Sequence, residues 1–195
     1  MNIDDIKKCV STDFMYQGGA SFETHVAVLK KGIVFKFIPS IKYALYTIMY
    51  LVLSIGAFYL GKRLFFINNG LSVIGFLLLG ASLVFIVAFL YFIKDYLKSI
   101  VFNKKKETYF KGYFNLKYLR NDKMNLEEIV ALQILGEITT EQLAPFNSYE
   151  LNLVLKNTER LHVIDHADIK SLIEDVERLS EFLNVPIWTT KSDKN

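Results

Sequence analysis

The sequence predicts an α+β membrane protein, in which a two-helix transmembrane hairpin is joined to an antiparallel β domain that ends in a C-terminal helix. Two long uncharged runs in the 195 residues predict the hairpin. After them, alternating apolar and polar residues predict strands, and apolar residues three and four apart predict the final helix. The expected parts are a cytosolic segment 1–42 with a β-hairpin, the transmembrane hairpin 43–93, a cytosolic β domain 94–188 with its helix at 167–183, and a disordered tail 189–195.

Both apolar runs are long enough to cross a bilayer. Residues 43–61 have no charge and rise about 28 Å as a helix, and residues 71–93 form a second such run. Lys62, Arg63 and the turn signal at 68–70 are expected to form a short loop between them. Neither run contains an ionisable side chain, which disfavours transport. We expect close packing between the two helices at their small residues, which are Gly56, Gly61, Gly75, Gly80, Ala81 and Ser82.

The distribution of lysine and arginine predicts the orientation of the hairpin. Within about 20 residues of its outer ends we count ten basic residues, against Lys62 and Arg63 in the loop. This asymmetry predicts a multi-pass protein of the bacterial inner membrane with both termini in the cytosol. Asp4 and Asp5 stand where a signal peptide would be basic, so we expect no cleaved leader.

Charge also divides the part that follows the hairpin. Residues 94–123 carry nine basic and three acidic residues, whereas residues 124–195 carry six and thirteen. The basic stretch follows the second span directly, so it predicts contact with anionic lipid headgroups; the alternative is that these lysines only set the topology. No nucleic-acid partner is expected beside so acidic a neighbour. The candidate headgroup contacts are Lys98, Lys104, Lys105, Lys106 and Lys111.

Period-two patterns predict about seven strands. Residues 149–156 and 160–164 form the clearest hairpin, with Glu150 and Asn152 on its polar face. Residue 129 begins a further strand that ends at 135, and a loop is expected over 136–147. Two other hairpins are expected, and the one ahead of the first span can join the same sheet. Their strands are residues 22–29 with 33–38, and residues 99–102 with 108–114.

The final helix has an apolar stripe and an acidic wet face. Asp165 or Asp168 is available as its N-cap, and Pro186 stops it. Trp188 is expected to lie at the sheet edge. The predicted stripe is Ile169, Leu172, Ile173, Val176, Leu179 and Leu183, and the predicted wet face is Glu174, Asp175, Glu177 and Glu181.

Few residues suggest chemistry. His162, Asp165 and His166 form a weak polar-site candidate, because an Asp–His pair can orient a base or bind a metal. Structural roles are favoured for them, since Asp is wanted as a cap at a strand-to-helix turn. No nucleophile accompanies them, as Cys9 lies in a polar N-terminus that we expect to be mobile. We therefore expect a protein that is not an enzyme, with no cofactor and no metal.

The order of elements resembles the pleckstrin-homology-like superfold, in which strand pairs precede a helix that closes an open barrel. The motifs Phe-Asn-Lys-Lys at 102–105, Asp165-His166 and Phe-Leu-Asn-Val-Pro at 182–186 resemble an uncharacterised family of bacterial two-span membrane proteins. The same order is distantly similar to the photosystem I assembly factor family of chloroplasts and cyanobacteria. The first resemblance implies a PH-like cytosolic domain, and the second implies a scaffold.

These observations predict an integral inner-membrane protein whose PH-like domain binds an unidentified protein, as a scaffold or assembly factor. Its binding surface would be an exposed sheet edge or the acidic helix face. Two alternatives stay open. One is an immunity protein against a membrane-acting toxin, and the other is a sensor of anionic lipid headgroups.

Overall fold

A computed structural model describes residues 2–15, 19–67, 73–113, 120–139 and 146–191. The chain divides into two compact units. Met1–Ser40 and Lys98–Asn195 form one unit, and Ile41–Leu97 forms the other. The N-terminal segment and the β domain therefore belong to one unit, although the sequence predicts them as separate parts.

The second unit consists of two long apolar helices, α2 (Ile41–Ile67) and α3 (Val73–Tyr96). Helix α2 continues through Lys62 and Arg63, so their predicted place in a loop is wrong; both are good helix formers. The turn signal at 68–70 lies outside the described residues. Both helices are long and apolar enough to cross a membrane, and only 17% and 11% of their most apolar stretches are buried.

Small residues bring α2 and α3 together, as expected. A Cβ on Gly61 would lie 3.0 Å from the Gly75 carbonyl oxygen, and a Cβ on Gly75 would lie 2.8 Å from the Phe65 nitrogen. Ser54 donates a hydrogen bond to the carbonyl oxygen of Ser82 at 3.0 Å. The expectation is wrong for Gly56 and Gly80, since a Cβ at either would meet nothing within 4 Å.

The first unit contains two sheets. Sheet A has five antiparallel strands in chain order, namely β1 (His25–Lys30), β2 (Val34–Pro39), β3 (Lys98–Asn103), β4 (Thr108–Tyr113) and β5 (Arg120–Asn125). Strands β2 and β3 pair from Val34 opposite Asn103 to Phe37 opposite Ile100. The helical unit is therefore inserted between two neighbouring strands, and the hairpin ahead of it joins the sheet that follows.

Sheet B has four strands, namely β6 (Ile129–Thr139), β7 (Phe146–Leu155), β8 (Arg160–His166) and β9 (Ile187–Lys191), in the order β8-β7-β6-β9. Strand β9 follows helix α4 (Ile169–Leu183) and pairs in parallel with β6. The described residues thus form nine strands rather than about seven. The predicted loop 136–147 is wrong at both ends, where β6 and β7 extend into it, and its centre at 140–145 lies outside the described residues.

The α+β fold class is confirmed: two long apolar helices accompany a β domain that carries a C-terminal helix and is antiparallel except at the β6–β9 pair. The core lies between the sheets and α4. Its helix residues include Phe182, whereas the predicted Ile173 is 37% exposed. Asp168 is the N-cap, and Asp165 belongs to β8 instead. The buried helix side chains are Leu172, Val176, Leu179 and Phe182.

The N-terminal segment packs on the outer face of sheet B. Helix α1 (Ile3–Cys9) buries Ile6, which contacts an apolar cluster formed by Val10, Ala131, Val154 and Trp188. The expectation of a mobile N-terminus is therefore wrong for α1, although Cys9 itself is exposed. Trp188 is buried on edge strand β9, as predicted. The prediction of a disordered tail is wrong for residues 189–191, which belong to β9. Residues 192–195 lie outside the described residues.

Candidate functional site

A bulge in β8 brings His162 and Asp165 to the same face of sheet B. Asn152 is paired with His162 and Glu150 with Asp165, whereas Val163 has no partner in the register. In a regular strand, residues three apart point to opposite faces. The extra residue of the bulge shifts the alternation of side chains by one, so that both side chains point to the same face. The two predicted site residues therefore meet: His162 Nε2 lies 3.1 Å from Asp165 Oδ1.

A lysine of the other sheet also contacts the imidazole. Lys111 Nζ, from β4, lies 3.0 Å from His162 Nδ1 and donates to the carbonyl oxygen of His162 at 3.0 Å. An ammonium group has donors and no acceptor. Nδ1 must therefore accept from Lys111, which leaves the proton on Nε2, where it is donated to Asp165. For the neutral form of His162, the contacts thus favour the Nε2–H tautomer.

Two buried residues of β7, Glu150 and Asn152, extend this arrangement on the polar face where alternation places them. The N-terminal segment covers this face: the backbone N–H of Met15 donates to both carboxylate oxygens of Glu150, at 3.0 and 3.2 Å. Asn152 Nδ2 donates to Glu150 Oε1. We call Lys111, Glu150, Asn152, His162 and Asp165 the polar cluster.

The polar cluster contains a set of donors suited to a metal ion, yet its hydrogen bonds fit a different arrangement. Donor atoms of Glu150, His162 and Asp165 lie within 4.8 Å of one another. A metal ion on Nε2 would move the imidazole proton to Nδ1, where it would face the ammonium of Lys111. Lys111 already supplies a positive charge at the other ring nitrogen, Nδ1. These contacts therefore favour an internal ion and hydrogen-bond network at this place.

His166 lies apart from the polar cluster. It is 1% exposed and pairs with Tyr149, a neighbour of the core. Its Nδ1 accepts from the backbone N–H of Asp168 at 3.0 Å, at the turn into α4. The structure thus gives His166 a structural role, and the three predicted site residues do not converge.

The candidate lysines occupy separate places in sheet A. Lys104, Lys105 and Lys106 form the exposed turn between β3 and β4, whereas Lys98 begins β3. A strand of six residues spans about 20 Å, so this turn and Lys98 lie at opposite ends of β3. Lys111 is engaged with His162. The turn joins the β1–β2 turn instead, since the Lys104 N–H donates to the Ile33 carbonyl oxygen at 2.9 Å. We call Lys30, Lys31, Lys104, Lys105 and Lys106 the basic turns.

Side chains close open backbone groups at two sheet edges. Asp175 of α4 accepts from the Ala27 N–H of edge strand β1 at 2.6 Å. On edge strand β8, Lys111 donates to the His162 carbonyl and Thr24 donates to the Asp165 carbonyl. Such caps oppose pairing with another chain. The wet side of α4 stays accessible, since Glu174, Glu177 and Glu181 are exposed. We call these three residues the acidic face.

Sequence reasoning found His162 and Asp165 but missed their partners. Lys111 lies 51 positions before His162 and in another sheet, so its role depends on how the sheets face each other. Glu150 alternates with apolar neighbours, which is typical of a solvated strand face. Its partner is the backbone N–H of Met15, 135 positions earlier, and a backbone donor has no signal in the sequence.

Comparisons with models of protein families, with curated proteins and with solved structures found no match. The resemblance to two-span bacterial proteins and to the PH-like superfold therefore stays a prediction.

Proposed function

We propose that this protein is a membrane-anchored binding protein that presents its β domain to another protein, as a scaffold or assembly factor. The insertion of the apolar helices between β2 and β3 carries this proposal. Because these strands are neighbours in sheet A, both connections to the helices leave from one end of one sheet. A domain joined to membrane helices by two connections at one end of a sheet is anchored at the membrane and can present its other surfaces to a partner.

The acidic face is the surface that we propose for the partner. Glu174, Glu177 and Glu181 are exposed on α4, and none of them makes an ion pair with a described residue. The side of α4 beneath them is fixed by burial of Leu172, Val176 and Leu179, so the carboxylates are displayed on a rigid element. Since the edges β1 and β8 carry side-chain caps, pairing with either of these two edges is less favoured. A basic partner is therefore expected.

The proposed location is the bacterial inner membrane with both termini in the cytosol. The excess of lysine outside the two apolar helices supports this orientation. The described helices contain Lys62 and Arg63 near the end of α2, and Lys94 and Asp95 near the end of α3. Charged residues thus fall near the helix ends, as expected for spans whose middle lies in hydrocarbon.

Photo-crosslinking in native membranes tests the proposed function. A photoreactive residue replaces Lys170, beside the acidic face, or Lys123 on β5 as the control position; both lysines are exposed. We expect one protein to be captured from position 170 in stoichiometric amount, and not from position 123. Its identity separates assembly from immunity, because a toxin comes from another cell. Equal capture from both positions, or none from either, would contradict the proposal.

A charge-reversal pair gives a matched control for that experiment. Glu177→Lys with Glu181→Lys reverses two charges of the acidic face, and Glu127→Lys with Glu128→Lys reverses two exposed charges ahead of β6. Rim charges mainly change association and its salt dependence. We expect only the first pair to abolish capture. Retention of capture by the first pair shows that the acidic face is not the binding surface.

Binding of anionic lipids is a second candidate, because the basic turns gather five exposed lysines. Each lysine near an anionic surface contributes about 1 kcal/mol. The full chain in nanodiscs is mixed with vesicles of phosphatidylglycerol or phosphatidylcholine. Lys104→Glu with Lys105→Glu should abolish binding to the anionic vesicles, whereas Lys123→Glu with Lys156→Glu should not. Binding that ignores lipid charge rejects this candidate.

A further inference from the structure

We propose that His162 is an acid-sensitive latch between the two sheets: the neutral imidazole holds Lys111 of sheet A against β8 of sheet B, and protonation of the imidazole releases it. This inference concerns the β domain itself and does not depend on the proposed partner.

The neutral state is set by the contacts of both ring nitrogens. Nδ1 accepts from Lys111 Nζ at 3.0 Å, and Nε2 lies 3.1 Å from Asp165 Oδ1. The side chain of His162 is only 12% exposed, so water competes little for either position. In this state one lysine joins β4 to β8 through two bonds, one to the ring and one to the His162 carbonyl.

Protonation removes the acceptor that the ring offers to Lys111. With a proton on Nδ1, the imidazolium cannot accept from Lys111, and two positive charges would lie 3.0 Å apart. The contact with Asp165 is kept and becomes an ion pair. Lys111, which is part of β4 and has a flexible stem, is therefore the group that moves. Histidine is the side chain that changes charge between pH 5 and 8.

The groups around His162 favour retention of the imidazolium in its place. From β7 it faces Glu150 and Asn152, and from its own strand it faces Asp165. Arg160, two residues earlier, is directed to Gln133, with Nη1 donating to Oε1 at 3.2 Å. The N-terminal segment contributes the Met15 N–H, which is bonded to Glu150. Two carboxylates thus remain beside the charged ring when the ammonium departs.

Release of Lys111 has a structural consequence at the sheet edge. Strand β8 is an edge of sheet B, and Lys111 caps its His162 carbonyl. The other cap, from Thr24 to the Asp165 carbonyl, does not involve His162. We therefore expect acid to loosen β8 around residue 162 while its end near α4 stays fixed.

Hydrogen exchange of the full chain in detergent micelles tests the latch, with rates corrected for the intrinsic effect of pH. From pH 7.5 to 5.5 we expect protection of the peptide covering 160–164 to fall about tenfold, the effect of losing one hydrogen bond to a charged group. The central strand β7 reports on global opening, and its protection should not change. All samples contain a chelator.

Three variants separate the latch from other causes. His162→Gln supplies an amide oxygen for Lys111 and an amide N–H for Asp165, so its peptide should stay protected at both pH values. Lys111→Gln removes the ammonium, so the peptide covering 160–164 should exchange fast at both pH values. His25→Gln removes a histidine of β1 and should respond like the natural chain.

A natural chain with equal protection at both pH values overturns the proposal, as does a pH response that persists in both His162→Gln and Lys111→Gln. If Zn²⁺ without chelator raises the protection of 160–164 in the natural chain but not in His162→Gln, the cluster is a metal site and the latch is rejected.

Discussion

Single side chains close individual backbone groups on one edge strand of each sheet. Asp175 accepts from the Ala27 N–H on β1, and Lys111 donates to the His162 carbonyl on β8. An unpaired backbone group away from water costs free energy comparable to a lost hydrogen bond. These side chains therefore stabilise the fold and also limit where another chain could pair with it.

The cap on β1 gives a prediction for Asp175. Replacement by alanine leaves the Ala27 N–H without its acceptor and should lower the free energy of unfolding by about 1–3 kcal/mol. Asp175→Asn keeps an acceptor and should fold with at least the natural stability at pH 7. Urea unfolding of the full chain in micelles, followed by the fluorescence of buried Trp188, measures both. Equal stability of the alanine and asparagine variants would contradict the role of the cap.

The pH dependence of the same residue has a defined sign. Burial raises the pKa of Asp175, against the hydrogen bond from Ala27, which lowers it. The folded state therefore binds a proton more readily than the unfolded chain, so stability falls as pH rises through the raised pKa. As pH rises through the raised pKa, the free energy of unfolding of the natural chain should fall relative to that of Asp175→Asn. If the natural chain instead became less stable than Asp175→Asn as pH falls, the sign would be wrong.

The N-cap of α4 predicts the opposite dependence. The Ser171 hydroxyl and the Lys170 N–H both donate to Asp168 and lower its pKa. Its contribution is fully present above about pH 4, the usual value for Asp, and is lost as pH falls through the lowered pKa. Asp168→Ala should lower the urea midpoint at pH 7, and Asp168→Asn should keep the cap without this acid sensitivity. An unchanged midpoint for the alanine variant would contradict the cap.

At the scale of elements, the helical hairpin depends on one close approach of backbones. Gly61 and Gly75 leave no room for a Cβ, because the nearest atoms belong to the backbone of the opposite helix. Small residues at such contacts are typical of helix pairs in membranes, where packing replaces the hydrophobic effect. Gly56 and Gly80 lie in open space and form a natural control.

Alanine substitutions test this contact. Gly75→Ala should lower the thermal midpoint of the helices in micelles, because its Cβ would meet the Phe65 nitrogen at 2.8 Å. Gly80→Ala should keep or raise the midpoint, since alanine is the better helix former by about 0.5–1 kcal/mol in soluble helices. Circular dichroism measures both. Equal effects of the two substitutions would contradict the contact.

Elements with a clear period were predictable, and those defined by pairing were not. The hairpin of β7 and β8 follows from alternation, and α4 follows from its stripe. Strand β5, Arg-Asn-Asp-Lys-Met-Asn, has no alternation, so only its pairing with β4 makes it a strand. Strand β9 begins directly after Pro186 and has only five residues, so its alternation is too short to identify it as a strand. The polar cluster needs both the bulge at Val163 and the register of β7, which a single sequence does not reveal.

For the whole molecule, the insertion of the helices between β2 and β3 is the feature on which the functional proposal depends. Strand β3 follows both apolar helices in the chain and pairs with β2, which precedes them, so sheet A is built from residues on both sides of the insertion. Long-range pairing of this kind costs loop-closure entropy. The antiparallel helical hairpin reduces that cost by bringing its own two ends together.

The most direct test of this account is a disulfide across the insertion in carbonate-washed native membranes. Lys36 and Val101 are register partners on β2 and β3, and antiparallel partners have Cα atoms about 4.5–5.5 Å apart, within disulfide range. In a Cys9→Ser background, cysteines at 36 and 101 should cross-link on mild oxidation, as should the control pair 101 and 110 from β3 and β4. Cross-linking of the control pair alone, or loss of the chain from the washed membranes, would contradict the account.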